Sequence, residues 1–309
     1  MKKYLGIICA ILLVFSLSSC GVNKELDELE VEGRKISTND AKDMVEDWDK
    51  YEEDLKLEDQ LHEGWYSISM DIIQKNSNED SDTQLYMSLS GKVYESFYSF
   101  ETKMKLTLRL EGSYYDKEES IETKYDGTVK VIYIDGKAYY DVSLTSRTDD
   151  QYESTTNKMN ALIVGDISDL GMVSVGSQSS AEGAVKMLMS YLRQLAARDE
   201  ESESEDEKLD VYREDDIYYV ERSTNFEATD IEKEELSQMK IEMNEEYEVK
   251  EFETYSYMRD RNKDTSTEII QASSVKESLG TLVMKPLNHK KYVNGDLNDI
   301  LGVIAGGYR

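Results

Sequence analysis

Apolar residues change rhythm several times along this chain, and each rhythm predicts an element. From Ser37 onward, Ala41, Met44, Val45, Trp48, Tyr51 and Leu55 recur at helical spacing, with Asp, Glu and Lys opposite them. Ser37-Thr38-Asn39-Asp40 puts a hydroxyl first and an acid three residues later, which fits a capping box at the helix start. At Trp65 the period drops to two. Trp65 to Ile72 is rich in strand formers, Asn76 to Asp82 is a polar turn, and Leu85, Met87 and Leu89 alternate with Tyr86, Ser88 and Ser90. The next strand is expected from about Ser99 to Tyr114. Met104, Leu106, Leu108 and Leu110 share one face of it, and Lys105, Thr107 and Arg109 the other. Asp126-Gly127 and Asp135-Gly136 read as two-residue hairpin turns, because glycine accepts positive φ without penalty. Residues 118–146 are therefore expected to form a three-stranded meander.

Residues 147–160 are polar and read as a break, and 161–178 mix glycine with apolar residues. A second helix is predicted after Ser179, which pairs with Glu182 as another capping box. Its broad apolar face carries Ala184, Val185, Leu188, Tyr191, Leu192 and Leu195, widened by Met187 and Met189. Asp199 to Glu207 holds seven acids in nine residues and reads as a disordered loop. Strands resume at Asp216–Ala228. Gln238 to Arg259 reads as one long strand whose apolar parity changes, implying a bulge or bend. Asp260 to Thr265 is a polar turn and Thr267 to Val275 a strand. Asp296 to Ile304 has the pattern of a short helix. The order helix, meander, helix, meander is not the alternation of a parallel sheet.

Composition then removes whole classes of function. The chain has 309 residues, 36 Lys+Arg against 65 Asp+Glu, and a net charge of −29, which argues against nucleic-acid binding. Two His (His62 and His289) and two Cys cannot build a zinc cluster. No G-x-S-x-G elbow or phosphate loop occurs, and two S-x-x-K matches, at Ser237 and Ser273, are no more than chance supplies. Asp260 to Glu268 has spaced oxygens, but it lacks the glycine bend and closing acid of a calcium loop. No catalytic residue, metal or cofactor is expected, and the chain does not read as an enzyme. The tyrosine doublets at 114–115, 139–140 and 218–219 would each put one ring on each sheet face.

Lys2 and Lys3, an apolar run from Leu5 to Phe15 and small residues up to Ser19 have the form of a secretory signal. Leu17-Ser18-Ser19-Cys20 resembles the bacterial lipobox. That resemblance implies a diacylglyceryl group with two acyl (palmitate-type) chains on the Cys20 thiol, then cleavage before Cys20, and anchoring on the extracytoplasmic face of the cell membrane. The domain layout that follows is 1–19 signal peptide, 20–36 acidic tether holding the fold off anionic headgroups, and 37–309 a single domain with the loop near 199–207.

The order of elements after the lipobox resembles the LolA/LppX-like envelope lipoproteins and carriers. The resemblance implies an α+β fold in which a large curved antiparallel sheet, half-barrel-like, packs on a few amphipathic helices, with a hydrophobic or amphipathic ligand such as a lipid between them. The apolar faces nominate Met104, Leu106, Leu108, Leu188, Leu192 and Leu195 as pocket residues. The alternative expectation is a lipid-anchored adhesion-type module that offers its outer sheet face and tyrosines to an envelope protein or glycan.

Overall fold

The computed structural model describes residues 25–54, 64–96, 101–166, 181–198, 207–228, 231–245, 247–278, 282–285 and 292–294. Two helices, α1 (Thr38–Asp54) and α2 (Ala181–Ala196), accompany one sheet. Its long strands are β2 (Gly64–Asn78), β3 (Ser81–Ser96), β4 (Glu101–Asp116), β5 (Ile121–Ile134), β6 (Lys137–Asp149), β7 (Ser154–Asp166), β8 (Glu207–Glu214), β9 (Ile217–Ala228), β10 (Ile231–Met243), β11 (Val249–Asn262) and β12 (Thr265–Ser278). Two-residue strands β1 (Arg34–Lys35) and β13 (Val293–Asn294) finish the edges. The fold is mostly β, a larger share than the expected α+β balance.

The strand order is β1-β8-β9-β10-β11-β12-β2-β3-β4-β5-β6-β7-β13, an open sheet in which only β13 runs parallel to its neighbour. Two antiparallel meanders, β2–β7 and β8–β12, are thus joined in reverse order: the end of the second pairs with the start of the first. The joint is long, running from Thr265 opposite Asn78 to Ser278 opposite Trp65. β7 and β8, successive along the chain, lie at opposite edges.

Side-chain alternation sorts the sheet into two faces. Leu209 and Val211, Tyr218 and Val220, Met239 and Ile241, and Phe252 turn toward the helices. There they join Ala41, Trp48, Val185, Leu188, Met189 and Leu192 in one buried cluster. Each such side chain removed from water contributes on the order of 1.5–3 kcal/mol. The same face continues into β3–β6, where Val93, Met104, Leu106, Val129, Val131, Tyr140 and Val142 form a second cluster. Val275 opposite Ile68 joins the two, and beside that row the same face carries half-buried Ser237, Thr254, Ser256, Gln271 and Ser273, with the Thr254 and Ser273 hydroxyls 2.6 Å apart.

Several local expectations change. The Asp126-Gly127 pair is not a turn. β5 runs straight through it, and the chain reverses at Lys117–Ser120, where Ser120 takes φ +54°. Gly127 is there because a Cβ would lie 2.1 Å from Leu144 Cδ2 and 2.6 Å from Ser143 O. Asp135-Gly136 does turn, with both residues at positive φ. The polar stretch 147–160 is no break, since it holds the end of β6 and most of β7, an edge strand that needs only modest apolar content. The parity change within 238–259 is a hairpin rather than a bend within one strand. Asn244 closes that hairpin: its backbone N–H donates to Glu248 O at 3.1 Å, and Glu248 N–H donates back to Asn244 Oδ1 at 2.9 Å. The Asp260–Glu268 stretch is also a hairpin turn, where Asn262 Oδ1 accepts the N–H groups of Asp264 and Thr265.

The capping box at α1 is present: Asp40 N–H donates to Ser37 Oγ at 3.1 Å and Ser37 N–H to Asp40 Oδ2 at 3.3 Å. The Ser37 hydroxyl and N–H hold the Asp40 carboxyl below its ordinary value. The Ser179 cap, both histidines, the 296–304 helix, Cys20 and nearly all of the 199–207 loop lie outside the described residues.

From Glu25, the segment expected to be a free tether is laid against the sheet face opposite the helices. Leu29 N–H donates to Gln238 Oε1 at 2.9 Å, and Leu26, Leu29 and Val31 are half-buried. Gly33, at φ +93°, turns the chain round the β8 edge, where any Cβ would lie 2.5 Å from Arg213 O. β1 then pairs with β8, Ile36 N–H donates to Val211 O at 2.8 Å, and Ile36 enters the helix-side core. Lys35 and Lys208 close on buried Asp210 at 2.5 and 2.9 Å.

Candidate functional site

The six nominated pocket residues fall in two places. Leu188, Leu192 and Leu195 of α2 lie in the helix-side core, at 0%, 0% and 7% exposure, packed against strands and α1. Met104 and Leu106 belong to the β3–β6 cluster, and Leu108 packs beside it. The six thus belong to two buried clusters, which adjoin where Val275 faces Ile68 across β12 and β2.

A cleft opens instead where the helices meet the sheet. It encloses about 190 Å³ and is lined by Met44 and Asp47 of α1, Met189 of α2, Arg213 and Asp216 at the β8–β9 turn, Tyr218, Met243 at the end of β10, Asn244, Glu245 and Tyr247. Each wall has a local cause. Met44 and Asp47 lie three residues apart on α1, one helical turn, and so share a face. Met189 is one turn from Leu192 on the buried side of α2. Met243 N–H donates to Asp216 O at 3.0 Å, tying the end of β10 to the β8–β9 turn. Tyr247 is held at φ +60°, its N–H on Asn244 O at 3.0 Å. That conformation is costly for a tyrosine, and ring packing offsets it. Trp48 meets Tyr247 edge-on at 4.8 Å, Tyr51 lies 4.7 Å from Tyr247, and Trp48 and Tyr51 are 5.7 Å apart.

Arg213 is the cation of the cleft. Its guanidinium stands 5.1 Å over the Tyr218 ring, and its Nε donates to Asp215 O at 2.8 Å. Among the described residues, no carboxylate lies within ion-pair distance of its Nη atoms. Burial pushes the Tyr218 phenol up against the opposing pull of Arg213, and burial with Asp47 raises that of Tyr247. Both phenols are therefore neutral donors at pH 7. Three thioethers supply a soft apolar wall. The guanidinium on one side, with Asp47, Asp216 and Glu245 on the other, gives the rim both signs of charge. No group of His, Cys, Asp and Glu among the described residues has the makings of a metal site.

Helical periodicity put Met44 and Met189 on apolar faces, and the tyrosine doublet marked Tyr218. Arg213 carried no local signal, and Met243 and Tyr247 read only as apolar positions of one long 238–259 strand, because the hairpins that bring the three together are read only from pairing.

The second expected surface is altered by the N-terminal strap. The 218–219 doublet does put one ring on each face, but Tyr218 is 6% exposed in the helix-side core and Tyr219 is 3% exposed on the strap side. Tyr255 is 4% exposed on that same side, within electrostatic reach of Glu28 and Asp27.

No family model matches the sequence, and no curated relative does. Among solved structures, the chain is similar to Ail, the attachment invasion locus protein of Yersinia pestis, at 9% identity and TM-score 0.22, over 70% of this chain and all of that one. It is also similar to Neisserial surface protein A, at 6% identity and TM-score 0.19, over 70% of this chain and 97% of that one. The translocator domain of the autotransporter NalP from Neisseria meningitidis matches at 7% identity and TM-score 0.20, over 78% and 99%. Likeness at that level does not amount to a common fold.

Proposed function

We propose that this chain is a lipid-anchored, extracytoplasmic, non-catalytic binding protein of the bacterial envelope that takes a single-chain amphipath at the helix–sheet cleft. The observation that carries the reading is the pairing of three methionine walls with a guanidinium that no described carboxylate engages. The apolar part of the ligand packs on Met44, Met189 and Met243, and a zwitterionic head sets its anion on Arg213 and its cation toward Asp47 and Asp216. A space of about 190 Å³ takes a short stretch of one chain rather than a whole diacyl lipid. The curved, half-barrel form implied by the resemblance to the LolA/LppX-like carriers suits a ligand entering between sheet and helices.

Anchoring runs through Cys20. Only four residues separate it from Glu25, so Cys20 lies within about 17 Å of Glu25 even with the chain fully extended. The domain is then held close to the membrane rather than standing off on a long tether. The alternative of an adhesion-type outer face finds Tyr219 and Tyr255 already covered.

The test is native mass spectrometry of the chain from Gly21 onward, which holds every described residue, after incubation with a lysophosphatidylethanolamine. One added ligand mass is expected, lost in Arg213→Glu and in Met44→Glu. An unchanged polypeptide mass overturns the reading. For the anchor, the membrane-extracted chain is expected to begin at Cys20 with a diacylglyceryl mass, and Cys20→Ser to remain an unprocessed precursor.

A further inference from the structure

β7 is an edge strand unlike the rest of this molecule. Its inner side pairs with β6 along its whole length, but on the outer side β13 covers only Ile163 and Val164. From Ser154 to Leu162 the outer row of backbone N–H and C=O groups meets no described strand, and residues 154–158 are all exposed. Unpaired edges of this length template pairing with another strand. They are usually blunted by proline, bulges or charge, and among residues 154–162 the one charged side chain is Lys158.

Charge picks out the same strand. Among the eleven long strands, β7 is the one with no Asp or Glu before its final residue, Asp166. In a chain of net charge −29, two copies repel almost everywhere. Along β7 they meet Thr, Asn, Lys and Met. The opposite edge offers no such line, because β8 carries Glu207, Asp210 and Glu214 and is partly capped by β1. Two exposed apolar side chains flank the open stretch, Tyr152 at 89% before it and Val293 at 69% at its far end.

We propose that a second copy of this chain pairs antiparallel with β7, edge to edge, through a two-fold axis at Asn157. In that register Asn157 faces its own copy, Lys158 faces Thr156, Met159 faces Thr155, and Asn160 faces Ser154. No like charges oppose each other, and the pairing stops short of β13. The contact is isologous, so it closes at a dimer. It is small, and anchoring both copies in one membrane raises their effective concentration.

The experiment is disulfide trapping of the full chain in membranes. Asn157→Cys is expected to give an oxidised dimer that the unsubstituted chain does not give. Glu119→Cys, in the β4–β5 turn, is expected to stay monomeric. Adding Thr156→Glu and Lys158→Glu to Asn157→Cys puts acids across the axis and is expected to cut the trapped dimer at least tenfold. A second measurement, the mass of the detergent-purified chain, is expected to shift from monomer to dimer with concentration and with salt. No dimer from Asn157→Cys, equal trapping at Glu119→Cys, survival of the dimer with both added acids, or oligomers beyond two each overturn the proposal.

Discussion

Gln238 Oε1 accepts the backbone N–H of Leu29 at 2.9 Å, across 209 residues of chain. Its amide nitrogen donates to Glu221 at 3.1 Å, so one buried side chain joins the strap to β9 and β10. This bond makes the acidic N-terminal segment part of the fold. Gln238→Ala is expected to cost about 1 kcal/mol and to open residues 25–33 to limited proteolysis before the domain unfolds. Equal protease resistance in the two proteins would show that the strap holds without it.

The same strap carries a pH response. Glu214, when protonated, donates a hydrogen bond to the Glu32 carboxylate, and that bond, with the negative charge of Glu32, raises the Glu214 carboxyl above its ordinary value. A raised carboxyl stabilises the folded arrangement while protonated, and that contribution is lost as pH rises through the folded value. Exchange of the Leu29 amide is therefore expected to quicken as pH climbs from about 4 to 6, after correction for intrinsic exchange. Glu214→Gln should flatten that rise.

Asp210 works in the opposite sense. Burial pushes its carboxyl up, but hydrogen bonds from Lys35 and Lys208, with their charges, outweigh this and leave it below its ordinary value. Its side chain is 5% exposed while the two lysines are more than half exposed. The contribution is present above the ordinary carboxylate value and lost as pH falls through the depressed one. Asp210→Asn is expected to cost about 1–2 kcal/mol at pH 7. The gap between variant and parent in chemical denaturation should close on going to pH 2–3.

Gly127 and Gly136 separate two reasons for glycine. Gly127→Ala drives a methyl into Leu144 and the Ser143 carbonyl and is expected to cost about 2–3 kcal/mol, with Leu144→Ala recovering only part. Gly136→Ala meets open space and pays only for its φ of +75°, about 1 kcal/mol. Thermal melts of the three variants would rank them, and a reversed order would return Gly127 to a turn.

Trp48, 6% exposed and edge-on to Tyr247, anchors the cleft wall. Trp48→Ala is expected to cost about 3–5 kcal/mol. Tyr247→Phe keeps the rings and should be near neutral in stability. If Tyr247→Gly proved more stable than the parent, backbone strain there would outweigh the stacked rings.

Alternation along each strand settled by itself which side chains go inward, because a pleated strand turns successive residues to opposite faces whatever its neighbour. Met104, Leu106 and Leu108 were legible for that reason, as were the helix faces and the Ser37 cap, where every partner lies within one turn. The Asp126-Gly127 pair misled because a local turn signal and a close cross-strand approach both select glycine, and only Leu144 on the next strand tells them apart. The pairing of β12 with β2, the strap over Gln238, and the meeting of Arg213, Met189 and Tyr247 were decided in three dimensions. Each joins residues far apart in sequence whose contact depends on complementary shape and hydrogen bonding, and no periodicity records that.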